Sequence, residues 1–385
     1  MRFSPTSPPD GWPGLAPAEA VARRALAELA ATARRLGRAA PFDPDQAGAV
    51  LLERATLLGH RPAGPVSPGG SCRIMATADG WVAANLARHD DVHLLPAWLG
   101  IDPDGPVRSP ALWRAVGEAV RRRPTLDVVE QGQLVGLAVA AVPDDDAGRH
   151  VGDAQLVDRG MLDPSRTHVA TRVGPGADRS RGEATPARVV DLSSLWAGPL
   201  CGRLLAALGM EVVKVESTTR PDGARRGSPA FFDHLNGDKR HLALPLASTE
   251  GRRALADLLT AADVVIEGSR PRALEQMGIE PAAVVAGGPG RVWVSITAYG
   301  RTGPWRNRVG FGDDAAAAGG LVRRDADGVP TFVGDAVADP LAGLVAAAAA
   351  ASSWAAGGGA VVDVALREVA RAAASTPGRD REDAG

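Results

Sequence analysis

Residues 187–217 read ARVVDLSSLWAGPLCGRLLAALGMEVVKVES, and this stretch decides the fold. ARVVDLSS holds a short apolar, β-branched run bounded by polar residues, the pattern of a strand buried on both faces. AGPLCGRLLAALG is apolar at helical spacing. It carries Pro199 in its opening turn, where a missing N–H is harmless, and ends on Gly209, which suits a left-handed C′ position. MEVVKVES is a second strand. The chain then continues in kind: EGRRALADLLTAA reads as helix, DVVIEG as strand, RPRALEQMG as a short helix and RVWVSITAYG as strand. Strands alternating with helices through short connections predict an α/β fold with a Rossmann-like parallel sheet. Ligands of such sheets bind beyond the carboxyl ends of the strands, so function is to be sought at 193–199, 216–217, 268–271 and 297–304. No G-x-G-x-x-G follows the first strand, and a dinucleotide cradle is not supported.

Upstream, the texture differs. TRVGPGADRSRGEATP (171–186) is polar, glycine-rich and aperiodic, and reads as a linker. Residues 17–36 and 45–58 have helical spacing, PAGPVSPGGS is loop, and CRIMATADGWVAANLA reads as two strands about an Ala78-Asp79-Gly80 turn. Residues 92–100 and 109–123 look helical, and 134–142 is an apolar strand, which together predict a second, smaller α+β domain. The expected organisation is a disordered lead (1–13), a helical segment packing on the large domain (14–60), a small domain with a return segment (61–170), the linker (171–186), the large sheet domain (187–370) and a disordered tail (371–385).

The chain of 385 residues has 45% apolar and 23% charged residues and a net charge of −2, which asks for neither a nucleic-acid nor a membrane partner. Its basic residues are nearly all arginine, with only two lysines, Lys214 and Lys239. Runs such as Arg121-Arg122-Arg123 therefore read as a solvated helix face in an arginine-biased sequence. Cys72 and Cys201 form no CxxC or His/Cys cluster, so neither a disulfide framework nor a metal site is expected. The first residues lack the apolar core of a signal peptide, and the alanine-rich run at 341–351 is short for a membrane span. A cytoplasmic protein is the expectation.

The block VVDLSSLWAGPLCGRLLAALGMEVVKVES resembles the opening of the class III CoA-transferases, the group of formyl-CoA transferase, carnitine CoA-transferase and 2-methylacyl-CoA racemase. NGDKRHLALPL, DVVIEGSRPRALEQMG, VWVSITAYGRTGPWRNRVGFGDDAAAAGG, FVGDAVADPLAGLVAAAAA and GGGAVVDVALREV follow in family order over roughly 186–370. RIMATADGWVA (73–83), preceded by Gly69-Gly70, and GDAQLVDRGML (152–162) resemble segments that the family carries late in its chain, yet here they come first. The resemblance therefore implies a circular permutant. The competing account is a fusion of partial copies, and a length near that of one complete copy favours permutation.

The resemblance implies an acyl-CoA:carboxylate CoA-transferase, with coenzyme A bound as the acyl-CoA substrate, a carboxylic acid as the second substrate, no metal, and a homodimer. It places the nucleophile at Asp335, in Val333-Gly334-Asp335. Locally, Asp335 follows an apolar run and precedes a helix. It reads as an N-cap or first-turn residue whose ionised form the helix dipole would favour, while Gly334 would let a substrate approach the backbone. Asp313, Asp314 and Asp339 are rivals by residue type, Asp339 reading more as a dipole-complementing residue. Leu195, Trp196 and Ala197 fall at the family's first-turn CoA contacts and Leu244 at a later adenine-side contact. Trp196 is a candidate to stack on the adenine. Several strand-end positions that are often basic in the family carry Ser217, Ala247, Gly268 and Gln276, leaving Arg270, Arg272 or Arg240 to meet the phosphates. Phe311 stands where the family's racemases carry a histidine, which tilts the reading away from α-proton exchange. Two alternatives stay open: a 2-methylacyl-CoA racemase-type isomerase, and a non-catalytic CoA-binding member.

Overall fold

The computed structural model describes residues 12–39, 41–102, 106–107, 109–143, 167–178 and 186–376. The first part holds helices α1 (Ala16–Arg35), α2 (Ala47–Leu51) and α3 (Glu53–Leu58). Strands β1 (Cys72–Ala76) and β2 (Trp81–Asn85), helices α4 (Leu95–Leu99), α5 (Pro110–Arg121) and α6 (Thr125–Leu134), and strand β3 (Ala138–Val142) follow. β1, β2 and β3 form an antiparallel sheet in sequence order. The helix α6 takes residues that looked like the start of a strand: Leu134 is its last residue and is 86% exposed, and the strand begins only after a left-handed turn at Gly136.

The second part is the parallel sheet. It contains β4 (Val169–Arg172), β5 (Arg188–Asp191), α7 (Ala197–Ala207), β6 (Glu211–Ser217), α8 (Ala224–Gly227), α9 (Pro229–Asn236) and β7 (Arg240–Leu244). Next come α10 (Thr249–Ala261), β8 (Val264–Glu267), α11 (Pro271–Gln276), α12 (Pro281–Ala286) and β9 (Val292–Thr297). The part ends with α13 (Gly312–Ala318), the hairpin β10 (Val322–Arg324) and β11 (Pro330–Phe332), α14 (Ala338–Ala355), β12 (Ala360–Ala365) and α15 (Leu366–Ala374). The sheet order is β4-β12-β9-β8-β5-β6-β7, parallel throughout except for the antiparallel edge strand β4. Leaving out β4, the chain starts in the middle at β5, winds outward through β6 and β7, then returns to wind the other way through β8, β9 and β12. This is the doubly wound order whose crevice opens where the winding reverses, between β5 and β8.

Among the described residues no helix is long and apolar enough to cross a membrane. The alanine-rich α14 is instead the central core helix, buried on nearly every side. Small residues let neighbours come close: a Cβ added at Gly343 would stand 2.6 Å from the Ala197 carbonyl at the start of α7. α1 packs along α14, and β2 and β3 lie on α13, so the first part of the chain covers the sheet domain. Several boundaries differ from the sequence reading. Trp12, within the expected lead, is buried in the main core with Leu15. Thr171 and Arg172, at the start of the expected linker, pair with Val361 and Ala360 of β12 because that edge otherwise lacks partners, and Val173 and Gly174 donate to Gly359. α15 extends to Ala374, into the expected tail. The segment 152–162 lies outside the described residues.

Candidate active site

Asp335 follows β11 and is fully buried. It is not a helix cap: α14 begins at Ala338 with Val337 in the N-cap position, and Asp335 lies before both. Its partners come from the far end of the chain. Arg54 on α3 makes a two-pronged ion pair, Nε donating to Oδ2 at 2.8 Å and Nη2 to Oδ1. His60, just past the left-handed Gly59 that ends α3, meets the same Oδ2 through Nδ1 at 3.0 Å. Burial alone would raise this carboxyl, but the hydrogen bonds from Arg54 and His60 outweigh it and hold the group down at about 2. The charge expected from a helix dipole is supplied by side chains instead.

Around this ionised carboxylate stand three carboxyls of the opposite character. Asp313 is pushed up to about 6 by burial and the charge of Asp335, and it accepts a hydrogen bond from the Ala336 N–H at 2.8 Å. Asp314 is pushed up to about 7, chiefly by burial. Its Oδ1 accepts from Asn85 Nδ2 and Phe311 N, both at 3.0 Å, while Oδ2 is buried without a hydrogen-bond partner. Asp339 sits in the first turn of α14 but is only half-buried and, through desolvation, raised to about 7, so it is not the simple dipole-complementing anion expected there. The loop itself is tightly defined: Ala336 has φ of +46°, a left-handed conformation disfavoured for a residue with a Cβ, and the bond from its N–H to Asp313 holds it there. Gly334 is explained by the same turn. A Cβ there would come 2.8 Å from Val337 Cβ, so the close neighbour is the chain itself.

The turn after β5 lies close by. Leu195 has φ of +71°, is 40% exposed, and its N–H donates to Asp222 Oδ1 at 3.0 Å. Trp196 does not present a free ring for stacking. The indole is buried, Arg54 lies 4.6 Å from the ring centroid, and Phe231 meets it edge-on at 5.2 Å. Trp196 Nε1 donates to Glu53 Oε1 at 3.3 Å, and Glu53 Oε2 accepts from Arg203 at 2.9 Å and meets His234 at 2.9 Å. α3 thus delivers two adjacent charges, Glu53 to the turn after β5 and Arg54 to Asp335. Ala197 is buried in the first turn of α7. Leu244 ends β7, two strands from the reversal point, and its side chain lies in the core beside Val215 and Leu255. Arg240 opens β7 rather than closing it, which puts it at the wrong end of the sheet for a phosphate contact.

Arg270 and Arg272 are exposed at the start of α11, immediately beyond β8. Desolvation and then the nearby charges of Arg272, Arg88 and Arg220 lower the Arg270 pKa, so four arginines from three segments gather at this mouth. Arg220 follows β6 directly and was findable by the strand-end rule; Arg88 had no local signal. Acidic residues at the other strand ends are committed to structure. Asp191 pairs with Lys239 at 2.8 Å, and Glu267 with Arg301 at 2.9 Å. Lys214 pairs with Asp222 at 3.0 Å and donates to the Ser193 carbonyl at 2.8 Å. Gly69 and Gly70 form a turn into β1, Gly70 donating to the Ser67 carbonyl at 2.8 Å.

An ionised, buried aspartate after Val-Gly thus stands beside the crevice of a doubly wound sheet. Residues 186–377 match the family described as CoA-transferase family III. This half of the chain is a CoA-transferase family III domain. An acyl-CoA transferase of Fusarium pseudograminearum is 32% identical to the chain over 210 residues, 47% of the chain and 46% of that protein. Succinyl-CoA–D-citramalate CoA-transferase of Chloroflexus aurantiacus is 34% identical over 169 residues, 42% of each. A crystal structure of a CAIB/BAIF family protein from Brucella suis is 31% identical with a TM-score of 0.45, covering 48% of this chain and 53% of that one. The chain thus spans less than half the length of the curated relatives it matches here. Within this cluster of four aspartates, Asp335 is the one kept ionised, whereas its three acidic neighbours are raised.

Proposed function

We propose that the protein exchanges coenzyme A between an acyl-CoA and a carboxylic acid, with Asp335 as nucleophile. The observation that carries this is a fully buried carboxylate held ionised at about 2 beside the sheet crevice. The Asp335 carboxylate attacks the thioester carbonyl, forming a mixed anhydride and releasing the CoA thiolate. The thiolate attacks the aspartyl carbonyl, giving an aspartyl-CoA thioester and freeing the donor acid. An incoming acid then reverses both steps. Acyl-CoA enters at the reversal point, its phosphates meeting Arg270, Arg272 and Arg220, with Leu195 as an apolar edge of the mouth. Relatives named as succinyl-CoA transferases support succinyl-CoA as a first donor to try. The homodimer and the cytoplasmic location belong to the same proposal, and light scattering tests the former.

We also read the chain as circularly permuted. Residues of the first part pack on α13 and α14 and supply Arg54, His60 and Asn85 to the aspartate cluster, which supports one enzyme built from both parts. A second reading, α-proton exchange on a 2-methylacyl-CoA, draws on Asp314 and Asp339, whose pKa values near 7 suit acid–base work. Phe311, in the racemase histidine position, weighs against it. The test is incubation with succinyl-CoA, a hydroxylamine trap and peptide mass mapping. A hydroxamate on Asp335 is expected. Modification of Asp313, Asp314 or Asp339 alone, or deuterium uptake at the α-carbon without exchange, overturns the assignment.

A further inference from the structure

We propose that Arg54 is a catalytic residue that passes from Asp335 to the acceptor acid, and so makes the enzyme select a carboxylate as acceptor. This rests on Asp335 being the nucleophile. At rest the guanidinium is spent on both oxygens of Asp335, and its side chain is only 21% exposed, with Trp196 over one face. Each covalent state of Asp335 is neutral. When the aspartyl-CoA thioester forms, one anion leaves the site as the donor acid, and Arg54 is left as a largely enclosed cation facing the aspartyl carbonyl. A largely buried cation without its anion is unstable, and a guanidinium matches a carboxylate with two parallel hydrogen bonds.

The neighbouring acids do not take over this role. Asp313 already accepts from the Ala336 N–H and Asp339 from the Gly312 N–H, and although the charge of each acts on Arg54, the two side-chain hydrogen bonds of Arg54 both go to Asp335. The anion that answers Arg54 is therefore the carboxylate of the incoming acid, held where one of its oxygens reaches the aspartyl carbonyl. Attack forms the new anhydride C–O bond and expels the CoA thiolate. The thiolate then attacks the acceptor's acyl carbonyl and breaks the acyl C–O bond of the anhydride, so the bridging oxygen and its electron pair stay on Asp335. Arg54 and Asp335 re-pair, and the net charge of the cluster is the same at the end as at the start.

The test separates a carboxylate from a neutral nucleophile at one carbonyl. The full-length protein is loaded with succinyl-CoA, and the aspartyl-CoA thioester is confirmed by intact mass. The thioester is then challenged in single turnovers with succinate or with hydroxylamine. In Arg54→Gln the succinate rate relative to the hydroxylamine rate falls at least about tenfold, and Arg54→Lys restores part of it because the charge remains. If both rates fall together, Arg54 merely positions Asp335 and the proposal is overturned. An unchanged ratio, or a folded variant that never forms the thioester, overturns it too. If the wild-type protein forms no adduct on Asp335, the nucleophile assignment itself has failed, a result visible before any variant is made. Thermal melts identify a variant that does not fold, and Arg54→Lys then carries the comparison.

Discussion

Replacing Asp314 with asparagine isolates the cost of holding an acidic group in the wall behind the nucleophile. The side chain is fully buried; Oδ1 is satisfied by Asn85 and Phe311 N–H, and Oδ2 has no hydrogen-bond partner. Burial raises its pKa from an ordinary 3.8 to about 7. A carboxyl raised in this way binds its proton more tightly in the folded chain than in the unfolded one. Its presence is harmless below the unfolded value, becomes costly as pH rises through the interval, and levels off above the folded value. Integrated between about pH 5 and about pH 8, the loss of stability comes to about 2 to 3 kcal/mol. Asparagine keeps the Oδ1 acceptor and does not ionise. Urea unfolding across that range is expected to show wild-type stability declining with pH and the Asp314→Asn line flatter by about that amount, with the variant the more stable protein at the alkaline end. Equal pH slopes in the two proteins would refute the reasoning, because they would mean that Asp314 is ionised in the native state at no cost.

Asp335→Asn is expected to lower CoA exchange by roughly a thousandfold or more, by removing the nucleophile; a labelled-succinate exchange assay with a thermal melt checks it. Because Asp335 lies at about 2, below its ordinary 3.8, its stabilising pairing is complete above the ordinary value and is lost only as pH falls through the lower one. The pH–rate profile of exchange should therefore show no acidic limb from the nucleophile near about pH 4 or above. Lys239→Met strands Asp191, which keeps only the Ser193 hydrogen bonds, and should cost about 3 to 5 kcal/mol in urea unfolding. Gly343→Ala puts a methyl against the Ala197 carbonyl and should cost about 1 to 3 kcal/mol, read as a fall in melting temperature.

The parallel sheet was legible because its strands are continuous apolar runs and its helices end on glycine and proline signals, features that depend only on neighbours in sequence. β7, β12 and β4 were not read as strands. RHLAL is largely exposed at one edge, β4 is exposed along its whole length, and β12 was visible only as a family block. Asp335 was found by likeness and by its place before a helix, but its chemical state comes from Arg54 and His60, 281 and 275 positions away. No local pattern reports such a distance. The helix ERATLL shows only its spacing in sequence; that Glu53 reaches Arg203 of α7 while Arg54 reaches Asp335 follows from how the chain folds α3 back onto the site.

The chain's two lysines, Lys214 and Lys239, are both enclosed, at 0% and 6% exposure, each locked onto an aspartate beside the β5 turn. Thioesters acylate any neutral amine they can reach. The folded protein shows its own proposed substrates no accessible lysine, so stray acylation of a lysine side chain has to wait for unfolding. The same seclusion turns an amine-reactive dye into a gauge of structure: lysine-bearing peptides stay unlabelled in the native chain and take up the dye only as the sheet comes apart.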